Sequence, residues 1–218
     1  MRIGICAGHS NHPNPDYRGV VCGDLEEWEL CRETVNELRL LLMDAGLEVY
    51  DPLSDMRREP YPEYLNHRID AFNAEGVDAV VAVHLNAIVP GVMSVDTDYV
   101  TMLYAPEDAE GARLAATLAD SCVRELGGSV PMSRGPWVGT DVAYRGEDKP
   151  AGIVRRTRMP AVIAEPMFLS NPEVQRLARY ERKQLVATTA LAISNGTVAW
   201  AEDFEARMAV VEAIEGDA

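Results

Sequence analysis

The sequence predicts a single α/β domain: a central, mostly parallel, twisted sheet with helices on its faces. Three observations carry that prediction. Short apolar runs recur at Arg2–Ala7, Val77–Val83 and Pro160–Glu165, and each suits a strand buried on both faces. Longer amphipathic stretches with helical spacing lie between them, so strand and helix alternate as crossover connections require. The length of 218 residues fits one such domain and leaves little room for a second.

The first strand, Arg2–Ala7, runs into Gly8-His9-Ser10, where a glycine beside the histidine lets the backbone turn and present the ring. Residues 11–23 are rich in Asn, Pro, Asp and Gly and read as a loop, with His12 exposed on it. Asp24 has the place of an N-cap, and Glu27 follows at the capping-box spacing. The next helix carries Leu38, Leu41, Leu42 and Ala45 and stops at Gly46. A second strand at Leu47–Tyr50 ends at Asp51-Pro52, and Tyr61–Glu75 reads as a helix closed by Gly76. The valine-rich run Val77–Val83 then delivers His84 and Asn86 to the carboxyl edge of the sheet, where open α/β sheets bind ligands.

An irregular segment with Pro90 and Gly91 follows, then a further strand over Asp98–Tyr104. Glu107–Leu126 reads as a helix with Leu114, Leu118, Cys122 and Leu126 on one face, ended by Gly127-Gly128. Ser129–Lys149 is rich in Gly and polar residues and holds Arg134, Trp137, Tyr144 and Arg145. It reads as a long surface segment lining a groove. After the strand Pro160–Glu165, a helix over Pro172–Ser194 is well signalled, with Asn171 as N-cap and Pro172 at its first position. Residues 1–195 thus form the domain, and residues 196–218 an acidic amphipathic tail.

Thirty-five acidic against 20 basic residues give a net charge of −15. That balance argues against nucleic acid, whose phosphates need clustered Lys and Arg, and against unaided adhesion to an anionic membrane. No run is long enough to span a bilayer, and Met1–Cys6 leads into a strand rather than a secretory hydrophobic region. The expectation is a protein that is cytoplasmic as synthesised. Cys6, Cys22, Cys31 and Cys122 form no C-x-x-C pair and read as reduced thiols that pack as small hydrophobes.

Strands therefore end in His9, His84 and Glu165, and the first helix opens near Glu27. Two imidazoles and a carboxylate with an open fourth position make a catalytic zinc shell rather than a closed structural one. Each residue also has a plainer reading. His9 suits a loop, Glu27 a helix cap, His84 a structural hydrogen bond, and Glu165 an ion pair with Arg158 or Arg68. Their joint arrival from separate segments outweighs these readings taken singly.

At these residues the chain resembles the zinc-dependent N-acetylmuramoyl-L-alanine amidases of the amidase 3 type. The matching elements are Gly8-His9, Glu27 opening a helix that ends at Ala45-Gly46, Arg68 and Asn73, and His84-Leu85-Asn86-Ala87. Met159-Pro160-Ala161-Val162-Ile163-Ala164-Glu165, continuing through Phe168-Leu169-Ser170-Asn171-Pro172, completes them. The likeness covers Arg2 to Asn195. It implies a zinc ion on His9, Glu27 and His84, with Glu26 the alternative to Glu27, and Glu165 as the catalytic carboxylate. Arg68, Asn86 and Arg134 are then candidate substrate-binding or supporting groups.

The implied reaction cleaves the amide between N-acetylmuramic acid and L-alanine in peptidoglycan or a muropeptide. A monomer or weak dimer is expected, without nucleic-acid or membrane partners. Lack of an export signal or wall-binding module suits an endolysin of phage type, made in the cytoplasm and acting on the wall after release. Two departures stand out. Cys6-Ala7-Gly8-His9-Ser10 occupies the place of the usual Asp-Pro-Gly-His-Gly, and Val89–Asp98 and Arg134–Lys149 match poorly where substrate choice is set. Alternative readings are a zinc peptidase acting on small peptides and a catalytically degenerate protein that binds cell-wall fragments.

Overall fold

The computed structural model describes residues 1–88, 97–130, 132, 136–141 and 151–216. Its central sheet grows outward from β1 (Arg2–Ala7) and β5 (Ala79–Val83), whose residues are almost all buried. The flanking strands are β4 (Glu48–Tyr50), β8 (Ala161–Glu165), β6 (Thr101–Tyr104) and β7 (Trp137–Thr140), in the order β4-β1-β5-β8-β6-β7. Every pairing is parallel except β6 with β8. The expected mostly parallel sheet is thus present.

Alternation along these strands divides the core in two. Ile3, Ile5, Val81, Val83, Val162 and Ala164 face α1 (Glu27–Asp44), α3 (Ala109–Leu126) and α6 (Arg182–Gly216). Cys6, Val80, Ala82, Ala161 and Ile163 face α2 (Glu63–Glu75) and α4 (Gly152–Arg156). Burial on both sides is why the strands read as continuous apolar runs. Register then places the site. Ala7 pairs with Val83, and Val83 with Ala164, so β1, β5 and β8 end in one row and release their next residues at one edge.

Helix ends follow local chemistry. Gly46 and Gly76 close α1 and α2 at φ 85° and 64°, conformations open to glycine. Asp108 caps α3 by accepting Gly111 N–H at 2.7 Å. Asn171 caps α5 (Pro172–Tyr180) by accepting Glu173 N–H at 2.9 Å. Leu114, Leu118, Cys122 and Leu126 are all fully buried, as their spacing requires. Burial pushes the Cys6 thiol up to about 11 and the Cys122 thiol up to about 12, so both pack as protonated hydrophobes.

Several expectations are corrected. Asp24 is no N-cap: α1 begins at Glu27, and Asp24 pairs with Arg179 on α5 at 2.9 Å. The preceding stretch is not all loop, because β2 (Val21–Cys22) and β3 (Leu25–Glu26) form a hairpin turned at Gly23, φ 69°. The segment expected as loop over Ser129–Lys149 contains β7, an edge strand laid on β6. Tyr144 and Arg145 lie outside the described residues. The single helix expected over Pro172–Ser194 breaks at Glu181, where Arg176 pairs with Glu181 and Arg182 turns to Glu33 on α1.

From Arg182 the helix α6 continues past residue 195 to Gly216. It is held on α3 as far as Arg207, whose guanidinium takes both oxygens of Glu110 at 2.7 and 2.8 Å. Among the described residues, no helix is long and apolar enough to cross a membrane.

At Gly196 α6 runs close against α3: a Cβ there would stand 2.8 Å from Leu118 Cα and 3.0 Å from the Thr117 carbonyl. Alanine is the better helix former by about 1 kcal/mol, so a net loss isolates packing. Gly196→Ala is expected to destabilise the fold by about 1–3 kcal/mol in denaturant unfolding. Gly128→Ala, with open space around it, should stay within about 0.5 kcal/mol.

Candidate active site

Three segments meet at the edge where β1, β5 and β8 end. Gly8 N–H extends the sheet to the Val83 carbonyl at 2.7 Å, and His84 N–H to the Ala164 carbonyl at 2.8 Å. His9 itself, not Gly8, takes the left-handed turn at φ 59°. The glycine is required for a different reason than the sequence suggests: a Cβ at residue 8 would lie 2.5 Å from His84 Nδ1. Gly19, φ 83°, does the same from the hairpin side. Its Cβ would lie 2.3 Å from Glu27 Oε2 and 2.5 Å from His9 Cδ2.

Glu27, the first residue of α1, does not cap its own helix. It is 2% exposed and turns its carboxylate across to both imidazoles. Oε1 lies 3.2 Å from His9 Nε2 and 3.1 Å from His84 Nδ1, and also accepts Leu85 N–H at 3.0 Å. Oε2 accepts Val20 N–H at 2.9 Å. The imidazole rings stand 5.0 Å apart at 71°. Glu26 is turned away and takes Arg18 Nη1 on both oxygens at 2.8 and 2.6 Å, so Glu27 is the carboxylate that joins the histidines.

Burial alone would raise the Glu27 carboxyl. The charge of His9 and hydrogen bonds from His84 and His9 outweigh it and hold the group well below the usual carboxylate range. Burial lowers His84, with His9 adding to the effect against the pull of Glu27, which favours a neutral imidazole with a lone pair to give. One ligand atom from each of the three residues lies within 4.8 Å of the others. A tetrahedral ion with bonds of about 2.0–2.2 Å spaces its ligands about 3.4 Å apart. The two-histidine, one-carboxylate cluster fits such an ion.

The cluster opens into a cavity of about 590 Å³. Glu165, at the end of β8, lies on its wall, half-buried, with Oε2 enclosed. Asp16 and Tyr17 come from the segment before the hairpin, Tyr61 from just before α2 and Tyr64 from its first turn, and Ala151, Gly152 and Ile153 from the N-terminal end of α4. Sequence reading missed these wall residues and Gly19; the glycine in a polar loop was the one available signal. Arg68 and Asn86 also border the cavity, each bonded to protein. Arg68 reaches Ser54 Oγ and the His9 carbonyl, and Asn86 donates to Thr101 Oγ1 at 3.1 Å. Arg134 lies outside the described residues. His12 sits apart from the cluster, half-buried against Tyr17.

Gly19→Ala should therefore keep the fold while losing at least about 1 kcal/mol to its positive φ. Its methyl group would displace Glu27 or His9, so calorimetric titration is expected to show divalent-metal affinity reduced more than tenfold. Wild-type affinity would contradict this packing.

The fold is similar to that of AmiC2 of Nostoc punctiforme, an N-acetylmuramoyl-L-alanine amidase (TM-score 0.72, 15% identity, 93% of this chain and 97% of that one). It is also similar to the CwlD amidase of Clostridioides difficile, solved with the GerS lipoprotein (TM-score 0.75, 18% identity, 92% and 98%). A third similar structure is the catalytic domain of the CD27L endolysin targeting Clostridia difficile (TM-score 0.68, 21% identity, 91% and 97%). At these identities the likeness is one of fold. No curated protein matches the chain in sequence. The sequence profile described as N-acetylmuramoyl-L-alanine amidase matches residues 3–195, which include all of the sheet but Arg2 and every residue of the cluster, and the chain belongs to that family.

Proposed function

We propose that this amidase cleaves the bond between the lactyl group of N-acetylmuramic acid and L-alanine in peptidoglycan with zinc held by His9, Glu27 and His84. Glu165 is the proposed catalytic acid–base. The observation that supports this reading best is the convergence of the three donors on a cavity whose wall carries a further carboxylate. Two imidazole nitrogens and one carboxylate oxygen are a donor set that zinc takes in hydrolases, leaving a position for water. Zinc bound there would lower the pKa of water towards about 7 and polarise the scissile carbonyl.

The chain's own residues supply the rest. Val20 and Leu85 N–H groups hold both oxygens of Glu27, fixing its orientation before any ligand arrives. Glu165 takes a proton from the attacking water and passes it to the amide nitrogen as the C–N bond breaks. The water oxygen ends in the lactyl carboxylate, and alanine leaves with a free amino group. Bacteriolysis of the endolysin kind belongs to the same proposal, supported by the fold shared with the CD27L catalytic domain, and is read from clearing of a cell suspension.

Glu165→Gln removes the proton carrier and keeps the shape. It is expected to lower kcat on purified peptidoglycan by about 10²–10⁴-fold while zinc content stays at the wild-type level. Near-normal turnover in that variant would contradict the role given to Glu165.

A further inference from the structure

Beneath the cavity lies a buried polar network that the proposed chemistry does not use. It starts on α1, the helix that bears Glu27. Trp28 Nε1 and Arg32 Nε both donate to Asp55 Oδ2 at 2.9 Å, and Arg32 Nη2 takes the other oxygen. Asp55 is fully buried in a short turn over Ser54–Arg57, and its carbonyl accepts Asn11 N–H at 2.7 Å. The adjacent Ser54 Oγ accepts Arg68 Nε at 3.0 Å. Arg68, 2% exposed on α2, then donates from Nη2 to the His9 carbonyl at 2.9 Å, with its guanidinium 5.3 Å from the Tyr64 ring centre.

This path joins the helix of one donor to the backbone of another. His9 needs such support, because it holds φ 59°, a conformation that L-residues adopt rarely and keep only where their surroundings over-determine it. A buried guanidinium suits the task better than an ammonium: its rigid fork aims two donors at once, here at a serine oxygen and a backbone carbonyl.

We propose that Arg68 is a positioning residue that holds the His9 peptide in its left-handed turn and so aims Nε2 at Glu27. Asp55 ties the Ser54 turn to α1 and keeps the two donors in register. The role rests on the metal-centre reading above, and its test separates the two.

Arg68→Lys, Ser54→Ala and a control, Leu118→Ala in the core where α3 packs on α6, are compared with the wild-type chain. Zinc affinity is measured by competition with a chelator, and stability by thermal unfolding. Arg68→Lys is expected to lower zinc affinity about 10–100-fold, the range for groups that orient metal ligands. Ser54→Ala, the milder variant, should lower it less but in the same direction. Leu118→Ala should lower the melting temperature and leave zinc affinity unchanged. In metal-free protein, the His9 backbone resonances should move in Arg68→Lys and not in Leu118→Ala.

Unchanged affinity with unmoved His9 resonances in Arg68→Lys would overturn the proposal. So would affinity losses that merely track the loss of stability across all three variants. If the wild-type chain binds no zinc, the metal-centre reading fails, and the His9 resonances alone decide whether Arg68 holds the turn.

Discussion

The Glu27 carboxylate is buried beside two imidazoles, and a buried charge persists only where opposite charge and hydrogen bonds match it. Much of the local architecture follows from meeting that demand. The hairpin brings Val20 N–H to one oxygen, and the turn after β5 brings Leu85 N–H to the other. Gly8 and Gly19 leave out the side chains that would collide with the cluster. Burial alone would neutralise the carboxyl; the charge of His9 and hydrogen bonds from both imidazoles keep Glu27 ionised against it, while burial favours a neutral His84.

A parallel sheet makes this convergence economical. Strands that run the same way end at the same edge, so the register of Ala7, Val83 and Ala164 is enough to bring His9, His84 and Glu165 together from distant parts of the sequence. The fourth residue comes from a helix instead, and a helix can be rotated or shifted by small changes in the loop before it. The ion pairs of Arg32 with Asp51 and Asp55, and of Arg182 with Glu33, hold α1 from its two sides. Placement of Glu27 is therefore a tertiary property.

That distinction explains what could be read in advance. β1, β5 and β8 were legible because burial on both faces selects unbroken apolar runs, and His9, His84 and Glu165 were legible as the polar residues that end them. Glu27 was visible only by its distance from Gly46, and its sequence setting matched a helix cap just as well. The hairpin of β2 and β3 was hidden, since two-residue strands carry no periodicity. The break at Glu181 was hidden too, because helical spacing continues through it and the partner that Arg182 meets there, Glu33, lies on a distant helix. Arg68 stood out as a motif residue, but nothing in its neighbours could show that its fork points at the His9 carbonyl.

The most direct measurement is the release of free amino groups from purified peptidoglycan by the wild-type chain, before chelation, after chelation and after zinc is returned. Release of new N-terminal alanine without new reducing sugar, abolished by the chelator and restored by zinc, is the expected result. Release that survives complete removal of metal, or none from any wall preparation despite bound zinc, would contradict a zinc-assisted amidase built on His9, Glu27 and His84.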